Sequence, residues 1–201
     1  MGVVFGKISE EMPRHAVVAQ AANFAVRRYE ASIAVQCDYG ANGWGVSSDG
    51  SPFGNLARYI GVFSEAHNQQ KQPIAMTAPV LIDAAKAERH MMMFLLPASK
   101  FKNIDEAPVP SNPNVRLQTL PERTQAVRTF SGNLRASRAK EQLTELLADI
   151  KADGRWAPSE PLSWQAAGYN APFVLPWFKT NEVLVNVAEV GDGPEAKNEK
   201  M

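Results

Sequence analysis

The sequence predicts a single α+β domain in which an antiparallel sheet of about eight strands, curved or nearly closed, packs against two helices. Three observations lead to this fold class. A chain of 201 residues has the length of one domain or of two fused half-domains. Two successive segments show the same order of elements, which is strand, strand, helix, strand, strand. In both segments the helix is marked by a one-sided apolar stripe and by a start or stop signal.

The first segment begins with two strands, at residues 24–29 and 33–37, where alternation and β-branched residues are typical of a sheet. The glycine-rich residues 40–45 that follow are predicted to form a mobile loop. A helix is predicted to begin at Ser51-Pro52, because serine is a common N-cap and proline suits the first helical position. Two further strands are predicted at residues 74–81 and 91–96.

The second segment contains the clearest helix of the chain, predicted over residues 137–153. An apolar stripe supports it, and Gly154 stands where a helix stop is expected. The stripe consists of Leu143, Leu146, Leu147 and Ile150. The strands around this helix are predicted at residues 115–120, 125–130, 163–167 and 182–187.

The two ends of the chain differ in composition from these segments. Residues 1–13 are predicted to form an N-terminal arm, and residues 14–190 the folded domain. Residues 191–201 are predicted to form a flexible polar tail, because their glycine, proline and alternating charges cannot bury a core.

Composition and charge exclude several classes of protein. Lysine and arginine total 21, as do aspartate and glutamate, so the chain lacks the basic excess of a nucleic-acid-binding protein. No apolar run approaches the ~20 residues that cross a bilayer, and no signal-peptide pattern opens the chain. The single cysteine, Cys37, cannot form an internal disulfide, which favours a reducing compartment. We expect a soluble protein of the cytoplasm or chloroplast, with no nucleic-acid partner and no membrane span.

The sequence lacks the patterns that mark catalytic and metal sites. There is no glycine-rich phosphate loop and no Gly-x-Ser-x-Gly motif. His15, His67 and His90 lie in the arm or in connections without a nearby cysteine or paired carboxylates, so no catalytic residue and no metal ligand is predicted. His67 would be the best histidine ligand for haem iron, but a solvated loop residue is the favoured interpretation. The methionines of residues 91–93 are expected to fill the core.

Several short motifs, taken in order, identify a family that the sequence resembles. Residues 59–63 read Tyr-Ile-Gly-Val-Phe and residues 73–80 read Pro-Ile-Ala-Met-Thr-Ala-Pro-Val. Together they resemble the signature of the SOUL (haem-binding protein) family. Further matches lie at residues 93–97, 126–132, 168–172 and 180–183. The resemblance runs from about residue 3 to residue 189, and residues 4–8 look like plant and algal members in particular.

The resemblance implies a twisted antiparallel β-barrel with two helices that binds haem or a related tetrapyrrole reversibly, as a carrier or buffer. In the family, a shallow apolar groove for this ligand lies between the first helix and the loop joining the last two strands. Carried over to this sequence, the groove residues are Phe53, Ala57, Arg58 and Gly61 from the helix, and Tyr169, Phe173, Val174 and Trp177 from the loop.

The residue types of this groove suit a porphyrin, which has broad apolar faces and two carboxylates. Arg58 can meet a propionate in bidentate fashion at the rim. Two positions depart from the family pattern. Arg28 stands where some animal relatives carry a histidine proposed to bind iron, and Val174 replaces a lysine that contacts a propionate. Metal-free porphyrins and chlorophyll precursors are therefore as plausible as haem.

Two other functions use the same groove. An exposed apolar groove can dock a helix of a partner protein, which would make the domain an interaction module. An enzyme that acts on a tetrapyrrole or on another apolar ligand is the second alternative. We expect a binding protein rather than an enzyme, because catalytic patterns are missing from the sequence.

Overall fold

The computed structural model describes residues 8–38, 51–62, 64–84, 90–171 and 174–191. These residues form an α+β fold in which ten antiparallel strands belong to one curled sheet and two helices pack on it. The predicted fold class is confirmed, with ten strands where about eight were expected. The strands are β1 (His15–Gln20), β2 (Ala25–Tyr29), β3 (Ser32–Asp38), β4 (Val80–Asp83), β5 (Met91–Leu95), β6 (Val115–Leu120), β7 (Arg123–Phe130), β8 (Trp156–Pro158), β9 (Trp164–Gly168) and β10 (Asn181–Glu189).

The two segments that share an element order exchange a strand in this sheet, because β2 of the first segment pairs with β7 and β6 of the second segment pairs with β3, and the sheet then has two halves. The strand order is β1-β2-β7-β10-β9-β4-β5-β3-β6, with β8 paired to β10 outside this path. The halves meet where β4 pairs with β9, in a register that sets Val80 opposite Gly168 and Leu81 opposite Ala167. The first helix therefore belongs to one half of a continuous sheet and the second helix to the other half.

Three strands differ from the sequence predictions. Residues 74–79 do not join the sheet, and β4 begins only at Val80, because Pro79 has no N–H to donate to a ladder. The edge strand β1 was not predicted, since its side chains are exposed and a bulge between Val17 and Ala19 interrupts its alternation. The three-residue strand β8 was also missed. The glycine-rich residues 40–45 and the tail from residue 192 onward lie outside the described residues.

The first helix has the predicted start and the second helix has the predicted end, whereas the end of the first helix at Gly61 was not predicted. Helix α1 (Pro52–Ile60) begins after Ser51, whose Oγ accepts a hydrogen bond from the Gly54 N–H at 3.1 Å. It ends at Gly61, whose φ of +82° is in the left-handed region. Helix α2 (Ala136–Asp153) ends in the same way at Gly154. Within the described residues, neither helix has the length and apolar character needed to cross a bilayer.

Both helices lie on the same face of the sheet, here called the helix face. Directly paired residues of antiparallel strands point to one face. Phe94 pairs with Val80, and Val80 pairs with Gly168. Gly168 pairs in turn with Asn181, and Asn181 with Phe130. Phe94 and Val80 pack with α1, whereas Phe130 packs with α2, so one continuous face carries both helices.

The opposite face, here called the inner face, is buried without a helix over it. Tyr29 of β2 and Leu120 of β6 come from near opposite ends of the strand order, yet they belong to one buried cluster with Leu184. The sheet must therefore curl until its inner face packs against itself. Because both faces are covered, Met92 and Met93 are both buried, one on each face, which agrees with their predicted role in the core.

Candidate ligand-binding groove

On the helix face, two strand spacings separate helix α1 from the residue that precedes the loop of residues 169–180. The Phe53 ring packs edge-on against Phe94, with 5.3 Å between ring centroids. Phe94 pairs with Val80, and Val80 pairs with Gly168, after which the 169–180 loop begins. Two strand spacings correspond to about 10 Å. Val80 therefore lies on the part of the helix face that separates α1 from the start of this loop.

The four predicted residues of the helix occupy different environments. Phe53 and Arg58 are half-buried, so both keep surface that a ligand can reach. Ala57 is only 1% exposed and packs in the core below the helix. Gly61 ends the helix, and a Cβ at this position would lie 3.1 Å from the Ala66 Cβ. The structure thus gives Ala57 and Gly61 roles in packing and helix termination, while Phe53 and Arg58 remain accessible.

The predicted loop residues differ in burial. The backbone alternates after Gly168, so the Tyr169 side chain packs with the inner-face cluster. Val174 is buried, whereas Trp177 is 66% exposed. Phe173 lies outside the described residues. Leu175 and Phe178 are also exposed, so the loop presents a small apolar surface that the sequence analysis had not assigned beyond Trp177.

Hydrogen bonds hold this loop at its base and near its tip. The Tyr169 N–H donates to the Thr180 carbonyl at 3.2 Å, and the Thr180 N–H donates to Asn170 Oδ1 at 2.6 Å. Nearer the tip, the Gly132 N–H donates to the Pro176 carbonyl at 2.9 Å. Trp177 is therefore exposed on an anchored turn, Pro176–Phe178, rather than on an untethered segment.

A charged network lies behind the loop on the inner face. The Tyr169 hydroxyl donates to Glu182 Oε2 at 2.6 Å, and Arg27 Nη2 lies 3.0 Å from Glu182 Oε1. Arg27 also donates to the Tyr29 hydroxyl at 3.2 Å. Burial and the neighbouring Glu182 carboxylate raise the pKa of Tyr169 well above its usual range. Although burial opposes it, the Glu182 carboxylate raises the pKa of Arg27. Tyr169 therefore stays a proton donor and Arg27 stays charged at neutral pH.

Of the candidate haem-iron ligands, His67 is exposed and lies next to α1, because its N–H donates to the Arg58 carbonyl at 2.8 Å. The His15 ring packs on Tyr29, 5.0 Å between centroids, at the sheet edge. Cys37 is buried under α1, and burial raises the pKa of its thiol, which disfavours the thiolate. In the described part of the chain, no three His, Cys, Asp or Glu side chains are arranged to hold a metal ion.

Comparison with known proteins identifies the family. The family model described as SOUL heme-binding protein matches residues 10–186. The chain belongs to the SOUL heme-binding protein family. No curated protein matches the chain.

Solved structures share the fold of this SOUL protein at low sequence identity. The C-terminal domain of EcmrR is 14% identical with a TM-score of 0.58, covering 83% of this chain and 98% of that one. A hydrolase from Listeria innocua is 9% identical with a TM-score of 0.55, covering 85% and 94% respectively. At such identities the similarity concerns the fold alone.

Sequence reasoning missed Arg27 and Glu182. A signal for them exists, because each is a charged residue inside a predicted buried strand, and their charges are opposite. The pairing itself could not be read from the sequence, because the partners are 155 positions apart.

Proposed function

We propose that this SOUL protein reversibly binds haem or a related tetrapyrrole in the groove between α1 and the 169–180 loop. The observation that carries the proposal is the exposure of Trp177 on an anchored loop that begins two strands from Phe94, on which the Phe53 ring packs. A large exposed aromatic residue contributes little to folding and is typical of a binding surface. Membership of the family supports a tetrapyrrole as the occupant.

In this proposal each accessible residue supplies one part of the recognition. Phe53 and Trp177 are the walls that contact the macrocycle faces, and Val80 lies in the floor. Arg58 at the side of α1 is the rim cation for a propionate. Stacking against walls needs no bond to iron, so metal-free porphyrins and chlorophyll precursors are expected to bind as well as haem. A shallow groove suits release as much as capture, which is the behaviour of a carrier or buffer.

The test is a side-by-side titration with haem, protoporphyrin and a chlorophyllide. Binding of each is measured by the shift of its Soret band. We expect all three to bind with dissociation constants within about tenfold of one another, a difference of ~1.4 kcal/mol. Trp177→Ala should weaken all three. Val190→Ala is the matched control, because Val190 is also an exposed hydrophobic residue but lies at the other end of β10, ~30 Å along the strand.

Two outcomes would replace the proposal by one of its alternatives. If no tetrapyrrole shows a Soret shift, a protein-interaction module becomes the favoured function of the groove. Conversion of a bound tetrapyrrole during incubation with a reductant and oxygen, detected by product analysis, would show an enzyme instead of a carrier.

A further inference from the structure

A surface hollow of about 440 Å³ adjoins the 169–180 loop on the side of α2. Its lining includes Gly132 and Asn133, and both residues contact the loop. The Gly132 N–H donates to the Pro176 carbonyl at 2.9 Å, and Lys179 Nζ donates to Asn133 Oδ1 at 3.0 Å. Trp177 lies between these two attachment points. The turn that carries its exposed indole is therefore attached to the lining of the hollow.

Positive charge predominates in this hollow. Arg135 and Arg138 line it, and Lys179 lies at its rim through Asn133. The acidic residue that lines it is Glu141, which pairs with Arg138 at 2.7 Å. Within the described residues Arg135 has no acidic partner. Glu141 offsets Arg138, so Arg135 leaves the lining with an excess of positive charge.

Arg135 and Arg138 stand at an end of α2 where acidic residues are normally favoured. The first turn of a helix favours acidic residues, because the unpaired N–H groups there are partly positive. The first turn of α2 contains no acidic residue, and Arg135 and Arg138 stand at this end instead. The charge preference of this helix end therefore does not account for them, although Arg138 pairs with Glu141 and lies over the Phe130 ring. Departures from local stability rules are concentrated at functional sites.

We propose that this hollow belongs to the ligand site and takes a carboxylate group of a planar aromatic acid whose ring lies against Trp177. The identification of that acid as a tetrapyrrole rests on the proposed function above. Arginine binds a carboxylate in bidentate fashion, and an indole offers a flat apolar face to the ring. The volume of the hollow lies in the range of small-molecule sites.

The first experiment uses a pair of fluorescent probes that differ in charge, so it does not depend on tetrapyrrole binding. The anionic probe is 8-anilinonaphthalene-1-sulfonate and the neutral probe is N-phenyl-1-naphthylamine. For Arg135→Glu/Arg138→Glu we expect a loss of at least about tenfold in affinity for the anionic probe and less than about twofold for the neutral probe. Trp177→Ala should weaken binding of both probes, because it removes the shared apolar surface.

The matched control is Lys151→Glu, which reverses an exposed charge in the last turn of the same helix, ~20 Å from Arg138. It should leave both affinities within about twofold of the unaltered protein. Arg135→Gln/Arg138→Gln removes the charges without reversing them, and circular dichroism checks that each variant is folded. An equal loss for both probes, no loss for the anionic probe, or no binding of the anionic probe to the unaltered protein would overturn the proposal.

A second experiment separates this inference from the proposed function. Protoporphyrin and its dimethyl ester are titrated against the unaltered protein and the double variant. Selective loss of the acid supports the hollow as the propionate site, whereas equal affinity changes for acid and ester reject it even if tetrapyrroles bind. If no tetrapyrrole binds but the probe pattern holds, the proposed function fails and the hollow remains a site for another aromatic acid.

Discussion

Glu182 is the residue at which the polar contacts of the inner face meet. Its carboxylate accepts hydrogen bonds from the hydroxyls of Tyr169 and Thr129 and pairs with Arg27. The side chains of Glu182 and Arg27 are only 5% and 18% exposed, so little water screens the pair. A buried pair of this kind adds little net stability, yet losing one partner strands the other charge in the interior.

Glu182→Ala should therefore lower the free energy of unfolding by about 3–5 kcal/mol, because Arg27 would remain buried without a counter-charge. Tyr169→Phe removes one hydrogen bond to a charged group and should cost less, about 1.5–3 kcal/mol. Urea unfolding followed by circular dichroism measures both. Equal costs for the two variants would show that the hydrogen bond, and not the ion pair, is the critical contact.

Residue chemistry alone could not decide which loop aromatics face the groove. Tyr169 and Trp177 are both large aromatic residues and both suit a porphyrin wall. The strand register decides between them, because a shift of one position moves a side chain to the other face. Gly168 pairs with Val80 on the helix face, which sends Tyr169 to the inner face.

The two helices show how far local signals reach. Ser51-Pro52 and Gly61 mark the ends of α1, and Gly154 marks the end of α2, because caps act through neighbouring backbone groups. The strand predicted over residues 74–81 overlaps β4 only at residues 80 and 81. Its pairing depends on distant partners and on Pro79, which local signals do not reveal. The apolar stripe of α2 was identified, but its depth of burial was not.

That depth leads to a prediction for α2. Leu146 is completely buried, whereas Leu143, one turn earlier in the same stripe, is only partly buried. Leu146→Ala should cost about 2–5 kcal/mol of unfolding free energy through lost burial and the cavity left behind. Leu143→Ala is the matched control and should cost less than half as much, because it can lose packing to solvent. Equal costs measured by urea unfolding would mean that both side chains are equally important to the core.

For the whole molecule, the sequence predicted the order of elements but not how the sheet closes. The contact between the halves, Val80 with Gly168, joins residues 88 positions apart, and no local pattern specifies such a register. Closure creates two different faces. The helix face carries the groove and the hollow, whereas the inner face buries polar side chains such as Gln125 and Glu182. The ligand site that we propose and the most costly polar contacts thus lie on opposite sides of one sheet.

The last prediction concerns the stability of the whole molecule at alkaline pH. Tyr29 and Tyr169 belong to the charged network of the inner face, whereas Tyr59 lies in the core below α1. Burial raises the pKa of each above the ordinary value of 10.0. In the unfolded chain these hydroxyls ionise near pH 10. Above that pH the unfolded state loses protons that the folded state keeps, so unfolding becomes more favourable.

The stability contributed by these three groups is therefore complete below about pH 10 and is lost as pH rises from there toward their folded pKa values. Each tyrosine contributes a slope of up to ~1.4 kcal/mol per pH unit, so three give up to ~4 kcal/mol per unit. Urea unfolding at pH 9, 10 and 11 measures this slope. Tyr169→Phe lacks one titrating group and should reduce the slope by about a third. Two results would contradict this prediction: stability that stays constant from pH 9 to pH 11, or phenolate absorbance that develops in the folded protein near pH 10. Either would show that these hydroxyls are accessible to water and that the core around them is more open than the structure indicates.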